Sequence, residues 1–289
     1  MSGVPSQSPL VQRRRLRTEL RRGRAAVSLT QEQVAVAMDW SLSKVIRIEN
    51  GTVSISTNDL RVLLNLYEIR DRSKVDDLVE LARASRQASW WSQYREVLTP
   101  QYLQYIEYEE AATVLRSYQP IMVQGLLQTE GYAASVIRKL APPGTRAELI
   151  RTQIDVRMTR QQRLLEQAAP PTYISILDEA VIHHILGEGN AAAGQIARLI
   201  EIANRPNCVI EIVPFSAGLY NGMLQAFLHL EFPDPEDGDV VFLETPTRDM
   251  LLGNEDDAEI ADFRELFEEI RSLSMGPVRS LAYLENLTK

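Results

Sequence analysis

Three groups of residues have types and spacing that could do chemistry. Seven arginines fall within twelve positions: Arg13, Arg14, Arg15, Arg17, Arg21, Arg22 and Arg24. Guanidinium groups stay charged and offer forked N–H donors, so a run this dense suits phosphate. The plainer alternative is a solvated basic face. The second group, Ser41, Leu42, Ser43, Lys44 and Arg47, lies some twenty residues further on. Lys44 and Arg47 are three apart and share a face on a helix. Either can donate to guanine O6/N7 or to a phosphate, while Ser43 can bond several bases and specifies weakly. The third group is scattered through the second half: His183-His184, His229, Cys208, Asp178, Glu179, Glu211, Glu231 and Glu244.

The third group does not assemble into a catalytic pattern. Adjacent histidines point about 100° apart on a helix, unlike the i,i+4 pair of an HExxH site. With three histidines and one cysteine in the chain there is little metal chemistry to build. The carboxylates could form a general acid–base pair, but acidic residues are in excess throughout this half. The sequence has no GxSxG, GxxxxGK[ST] or GxGxxG. Cys208 opens an apolar run and reads as a small buried residue rather than a nucleophile. Gly218-Leu219-Tyr220-Asn221-Gly222 reads as a turn, with pocket lining as the alternative. No catalytic, cofactor-binding or metal-binding residue is therefore assigned, and no cofactor is expected.

The first two groups need helices to position them. Thr30 and Gln33 form a capping box at the start of a short helix, with Val34, Ala37 and Met38 on one face. Asp39-Trp40-Ser41 breaks that pattern, and Ser41 caps a second helix with Leu42, Val45, Ile46 and Ile48 apolar. Asn50-Gly51 closes it with residues that tolerate positive φ. Two short helices joined by a tight turn make a helix-turn-helix, whose second helix enters the DNA major groove. Residues 10–27 form a preceding helix with Leu16, Leu20 and Ala26 apolar. Two more follow, with Leu60, Leu63, Leu64 and Tyr67, then Val75, Leu78, Val79 and Ala82, turned inward.

Charge supports two halves. The net charge is −8, yet residues 1–90 hold 15 Lys and Arg against 10 Asp and Glu, and the remainder holds 16 against 29. The positive end is drawn to phosphate and the acidic part is not. A length of 289 residues also implies more than one domain. We expect a flexible arm at 1–9, a five-helix DNA-binding domain at 10–86, an aromatic connector at 87–100 and an α+β domain at 101–289. In the connector Trp90, Trp91 and Tyr94 are too aromatic for a free linker. They are expected to pack on the second domain, with base stacking as the alternative.

In the second domain, residues 101–119 read as one helix, then 132–140 and 147–168. The last carries Arg151, Arg157, Arg160 and Arg163, read as pairing within the helix with Glu148, Asp155 and Glu166, or else as a second basic face. Strands are expected at 173–177, 208–213, 225–232 and 240–244, the last two a hairpin across the acidic turn 233–238. Helices are expected at 179–186, 191–203, 257–274 and 277–287. The fold class is thus an all-α five-helix domain followed by a larger α+β domain with a small, partly antiparallel sheet flanked by helices. A single cysteine, no signal peptide and no run of about 20 apolar residues fit a cytoplasmic, nucleoid-associated protein without a membrane partner.

Two resemblances add to this reading. Leu29-Thr30-Gln31-Glu32-Gln33-Val34-Ala35 and Ser43-Lys44-Val45-Ile46-Arg47-Ile48-Glu49-Asn50-Gly51 resemble the Cro/C1 repressor (xenobiotic-response-element) DNA-binding domain, which is lambda-repressor-like. The resemblance implies a phosphate contact at Gln31 and base contacts at Ser41, Leu42, Ser43, Lys44 and Arg47. Arg13, Arg14 and Arg17 join Gln31 on the phosphates, and Glu49 belongs to the domain's own packing. Glu109-Glu110-Ala111, Tyr118-Gln119-Pro120, Gly125-Leu126-Leu127-Gln128-Thr129 with Tyr132-Ala133, Arg160-Gln161 and Asp178-Glu179-Ala180 resemble the C-terminal domain of bacterial WhiJ-like, antitoxin-like regulators. Gln124 stands where that family has proline. The implied protein is a dimeric, sequence-specific transcriptional regulator on double-stranded operator DNA. Its second domain would sense a small-molecule ligand or a small BldB-like partner protein. An enzyme with an autoregulatory DNA-binding domain is the alternative, and a scaffold whose acidic surface meets a basic partner is a third.

Overall fold

The computed structural model describes residues 9–51, 53–86, 89–233, 238–244, 250–253 and 256–288. All but the last residue of the expected arm, the core of the acidic turn at 234–237 and connector positions 87–88 lie outside them. The chain divides into two compact units, Met1–Ser92 and Gln93–Lys289.

The first unit is the expected helical domain: α1 Pro9–Ala26, α2 Gln31–Met38, α3 Leu42–Glu49, α4 Thr57–Leu66 and α5 Arg72–Ala84. Local chemistry sets the boundaries. Gln33 N donates to Thr30 Oγ1 at 3.2 Å while Thr30 N donates to Gln33 Oε1 at 2.8 Å, a closed capping box. Asp39 takes the left-handed conformation that ends α2 (φ 55°), and Ser41 caps α3 by accepting from Lys44 N. Ser56 and Asp71 cap α4 and α5 likewise. Leu16, Leu20, Val34, Val45, Leu60 and Leu64 meet in one core. In α2 it is Ala35 rather than Ala37 that is buried, and Ala26 is exposed. A turn of Trp90–Tyr94 follows, in which Trp90 and Trp91 meet edge to face at 5.7 Å.

The second unit is a helix-rich domain around an open six-stranded mixed sheet. Its elements are α6 Pro100–Ala111, β1 Val114–Gln119, α7 Glu130–Leu140, α8 Ala147–Leu165, β2 Thr172–Asp178, α9 Glu179–Leu186, α10 Ala192–Ala203, β3 Cys208–Val213, β4 Phe227–Glu231, β5 Val240–Leu243, β6 Met250–Leu252, α11 Asp257–Ser272 and α12 Pro277–Asn286. The strand order is β3-β2-β1-β4-β5-β6. The first three are parallel, with Tyr118 beside Ile176 and Ile176 beside Glu211. The rest are antiparallel, including the expected β4–β5 hairpin, in which Phe227 faces Leu243.

Two strands were hidden in the sequence. Residues 101–119 are not one helix: α6 ends at Ala111, Ala112 turns extended (φ −71°, ψ 146°), and 114–119 forms β1, the strand that joins the parallel and antiparallel halves. Its alternation is masked because β1 is covered on both faces. Leu115, Ser117 and Tyr118 are all buried. The three-residue β6 is too short for a period-2 signal.

Tyr118, Ile176 and Phe227 pack on one face against Phe267 and Ile270 of α11. On the other face Tyr105 of α6 stacks on Phe242 at 4.1 Å. That face carries a buried polar knot. Glu109 of α6 and Arg160 of α8 are 1% and 4% exposed, with Arg160 Nε 3.1 Å from Glu109 Oε2. Tyr105 donates its hydroxyl proton to Glu109, Arg160 NH1 donates to Tyr102 at 2.6 Å, and Gln124 bridges Tyr105 and Tyr173. Burial pushes the Glu109 carboxyl up, against the pull of Arg160 and the Tyr105 hydroxyl. So two of the α8 arginines, Arg160 and Arg163, pair with α6 rather than with neighbours on their own helix, Arg163 reaching Glu110 at 3.3 Å on the surface.

The two α6–α8 pairs differ mainly in burial, and this gives a contrast. Arg160→Met leaves a carboxylate uncompensated in the interior and is expected to cost about 3–5 kcal/mol. Arg163→Met removes an exposed pair and should cost under about 1 kcal/mol. All three tryptophans, Trp40, Trp90 and Trp91, precede the unit boundary. Urea unfolding of the second unit is therefore followed by far-ultraviolet circular dichroism. Equal costs for the two variants would show that the buried pair is not what holds α6 to α8.

Candidate nucleic-acid interface

The site begins with how α3 is held. Its inner side buries Val45 and Ile48, and its last residue, Glu49, is 1% exposed despite its charge. An isolated carboxylate there would be prohibitive, and its oxygens are fully engaged. Arg24 of α1 forks onto it, Nε to Oε1 at 2.7 Å and NH2 to Oε2 at 3.1 Å. Gln31, the first residue of α2, donates Nε2 to Oε2 at 2.8 Å. Arg24 NH1 also donates to the Leu29 carbonyl at 2.9 Å, and Arg21 NH2 to Asn50 Oδ1 at 2.8 Å. One carboxylate thus ties α1, α2 and α3 together, and the neighbouring Asn50 adds a second tie to α1. The Arg24–Glu49 bond holds the guanidinium's proton more tightly than usual.

The outer side of α3 is presented to solvent. Ser41, Ser43 and Arg47 are exposed and Leu42 is 37% exposed. Arg47 Nε donates to the Ser43 carbonyl at 3.2 Å, so its side chain lies back along the helix. Lys44 is half-buried: its Nζ is 3.3 Å from Asp59 Oδ2 and 3.8 Å above the Trp40 ring. It must give up a carboxylate and a cation–π contact to reach a base. Ser41 already uses its side chain as a cap.

The phosphate candidates separate. Gln31, Arg13 and Arg17 are half-buried, and Arg15 is exposed. Arg14 is only 6% exposed, so in this structure its guanidinium presents little surface. Part of the arginine cluster is therefore a clamp on α3, because Arg24 bonds Glu49 and Arg21 bonds Asn50 at its C-terminal end. The signal for this was in the sequence. A glutamate at the end of an apolar helix face needs a cationic partner, and Arg24 is the cluster's closest member along the chain.

In the second unit the scattered polar residues take separate structural places. Glu211, 3% exposed, accepts from Arg271 at 3.0 Å and Ser274 at 2.5 Å. His183 stacks on Phe215 at the surface, and His184 Nδ1 donates to the Ile121 carbonyl at 2.8 Å. His229 is fully buried, with Nε2 2.7 Å from Asp239 Oδ2. Asp178 caps α9 and accepts from Tyr220, and burial raises the Cys208 thiol. Among the described residues no cluster of His, Cys, Asp and Glu could hold a metal ion, and no helix is long and apolar enough to cross a membrane.

The Glu49 clamp predicts a stability effect confined to the first unit. Glu49→Gln keeps the shape but removes the charge that Arg24 answers, and should cost about 2–3 kcal/mol. With Trp90 and Trp91 replaced by phenylalanine, tryptophan fluorescence in urea follows Trp40, which packs on this unit's core. An unmoved midpoint would mean that the clamp does not hold α3.

Comparison with known families now places the chain. A helix-turn-helix domain family matches residues 15–78, which contain α2 and α3. A domain of unknown function, DUF5753, matches residues 102–286, the sheet unit from α6 to α12. Neither curated proteins nor solved structures gave a match. The helix-turn-helix domain points to a DNA-binding regulator. Since the second match spans more than half of its length, the chain belongs to the DUF5753 family, carrying that domain behind a helix-turn-helix.

Proposed function

We propose that this protein is a sequence-specific transcriptional regulator with a Cro/C1-type reading head and a WhiJ-like C-terminal domain that controls it. The observation that carries the reading is the two-sided character of α3. Its inner face is fixed by the Arg24–Glu49–Gln31 network, and its outer face offers Leu42, Ser43 and Arg47. A rigid helix with one donor-rich exposed side is what major-groove readout requires.

In this reading Arg47 is the principal base donor and Ser43 a weak one. Leu42 offers an apolar contact, such as to a thymine methyl. Lys44 leaves Asp59 when DNA binds, and Ser41 sets the first turn of the helix. Gln31, Arg13 and Arg17 hold phosphates. Gln31 suits this because it opens α2, where unsatisfied N–H groups favour an anion, and Glu49 fixes its amide. The protein acts as a homodimer, since one short helix covers too few base pairs and two half-sites about 34 Å apart supply the rest. The C-terminal unit answers to a small molecule or a small BldB-like partner protein, in an antitoxin-like arrangement in the cytoplasm. Its excess of acidic residues keeps it off the DNA.

The test is binding to an operator selected from a random duplex pool, measured by fluorescence anisotropy against scrambled DNA. Arg47→Ala should weaken operator binding about tenfold or more and leave scrambled DNA nearly unchanged. Gln31→Ala should weaken both alike and leave the salt dependence nearly unchanged, because its amide is neutral. If Arg47→Ala leaves discrimination intact, α3 is not the reading helix.

A further inference from the structure

A cavity of about 490 Å³ opens inside the second unit, bounded by α7, α8, the residues leading into α6 and the segment after β1. That size suits a small organic molecule. Its walls are chemically graded. On α8 the lining residues Leu149, Gln153 and Arg157 are spaced by four, so they form one stripe two turns long, about 12 Å from end to end. The Leu149 end faces an apolar wall that includes Val136, Ile137 and Leu140 of α7. The Arg157 end is polar, with Gln128 and Tyr102 beside it.

The two arginines at this end are in different electrostatic states. Arg160, behind the wall, is answered by Glu109. Arg157 NH1 donates to the neutral Gln128 Oε1 at 2.5 Å, and its buried Nε has no hydrogen-bond partner among the described residues. Gly125 keeps the place open. A Cβ there would meet Arg160 NH2 at 2.5 Å and lie 3.6 Å from Arg157 Nε. The lining carboxylate, Glu244, is exposed.

We infer that this cavity binds a small amphipathic acid, its anionic group on Arg157 and an apolar chain or ring system of about 12 Å along the α7–α8 wall. A carboxylate would supply the charge that Arg157 lacks, with forked geometry that a guanidinium matches. Burial of the apolar part supplies most of the affinity. The inference rests on the proposal that the second unit responds to a ligand, and names that ligand's chemistry.

The test uses the full chain and three eight-carbon probes: octanoate, 1-octanol and octylammonium, titrated by calorimetry. Octanoate should bind at least tenfold more tightly than 1-octanol, and octylammonium most weakly. Arg157→Met should abolish the preference for octanoate over 1-octanol, and Val136→Phe, which fills the cavity from the α7 side, should weaken both probes. Glu244→Gln should tighten octanoate by removing a like charge. Circular dichroism melting confirms that each variant is folded. The inference is overturned if octanoate does not bind, if 1-octanol binds as well as octanoate, or if Arg157→Met retains the preference. Octanoate binding with that preference but without any change in operator affinity supports the cavity's chemistry and instead sinks the proposal that the unit is a sensor.

Discussion

A carboxylate held almost wholly out of water is the constraint on which the helix-turn-helix depends. Glu49 sits at the end of α3, where the chain needs an anion for Arg24 and Arg24 needs a place to fork. Each charge would be too costly to bury alone; together, with Gln31 adding a third hydrogen bond to the carboxylate, they fix three helices. Hydrophobic contact is non-directional and would let α3 slide or rotate. The bidentate ion pair sets its rotation, and hence which side chains meet solvent.

The second unit uses the same device at another place. Glu109 and Arg160 lie between α6 and α8 on the sheet face opposite α11. Around them Tyr105, Gln124 and Tyr173 form a chain of hydrogen bonds reaching the parallel strands. The knot holds Arg160 still, and the segment at Gly125 passes directly over its guanidinium. The cavity lies against this rigid floor, while its α7 wall is apolar and α7 itself is tied to Glu188 through Ser135 and Lys139.

Several elements were legible because one local cause settled each. The capping box at Thr30, the serine cap at Ser41 and the aspartate cap at Asp178 each need only three or four residues. The parallel strand Cys208–Val213 is an apolar run interrupted only by Glu211, and its bounds follow from that. By contrast β1 was read as helix. Its strand neighbours on both sides come from distant segments and its residues are buried on both faces, so it lacks the alternation of a half-exposed strand. A run of arginines shows composition and not direction, so the burial of Arg14 is not legible in it. The same limit hid the pairing of Arg160 with Glu109 across 51 positions, when helical spacing offered nearer partners.

The sequence by itself determined that the chain has a basic helical head and an acidic sheet domain, and which residues face outward on α3. These depend on spacing and charge, which survive without coordinates. Tertiary structure decided how the charges are used. Which arginines hold α3 and which remain for phosphate, how Lys44 rests on Trp40, and that Arg157 borders a cavity while Arg160 is neutralised all follow from long-range packing. Electrostatic partners are chosen by distance and burial in space, and no local pattern encodes either.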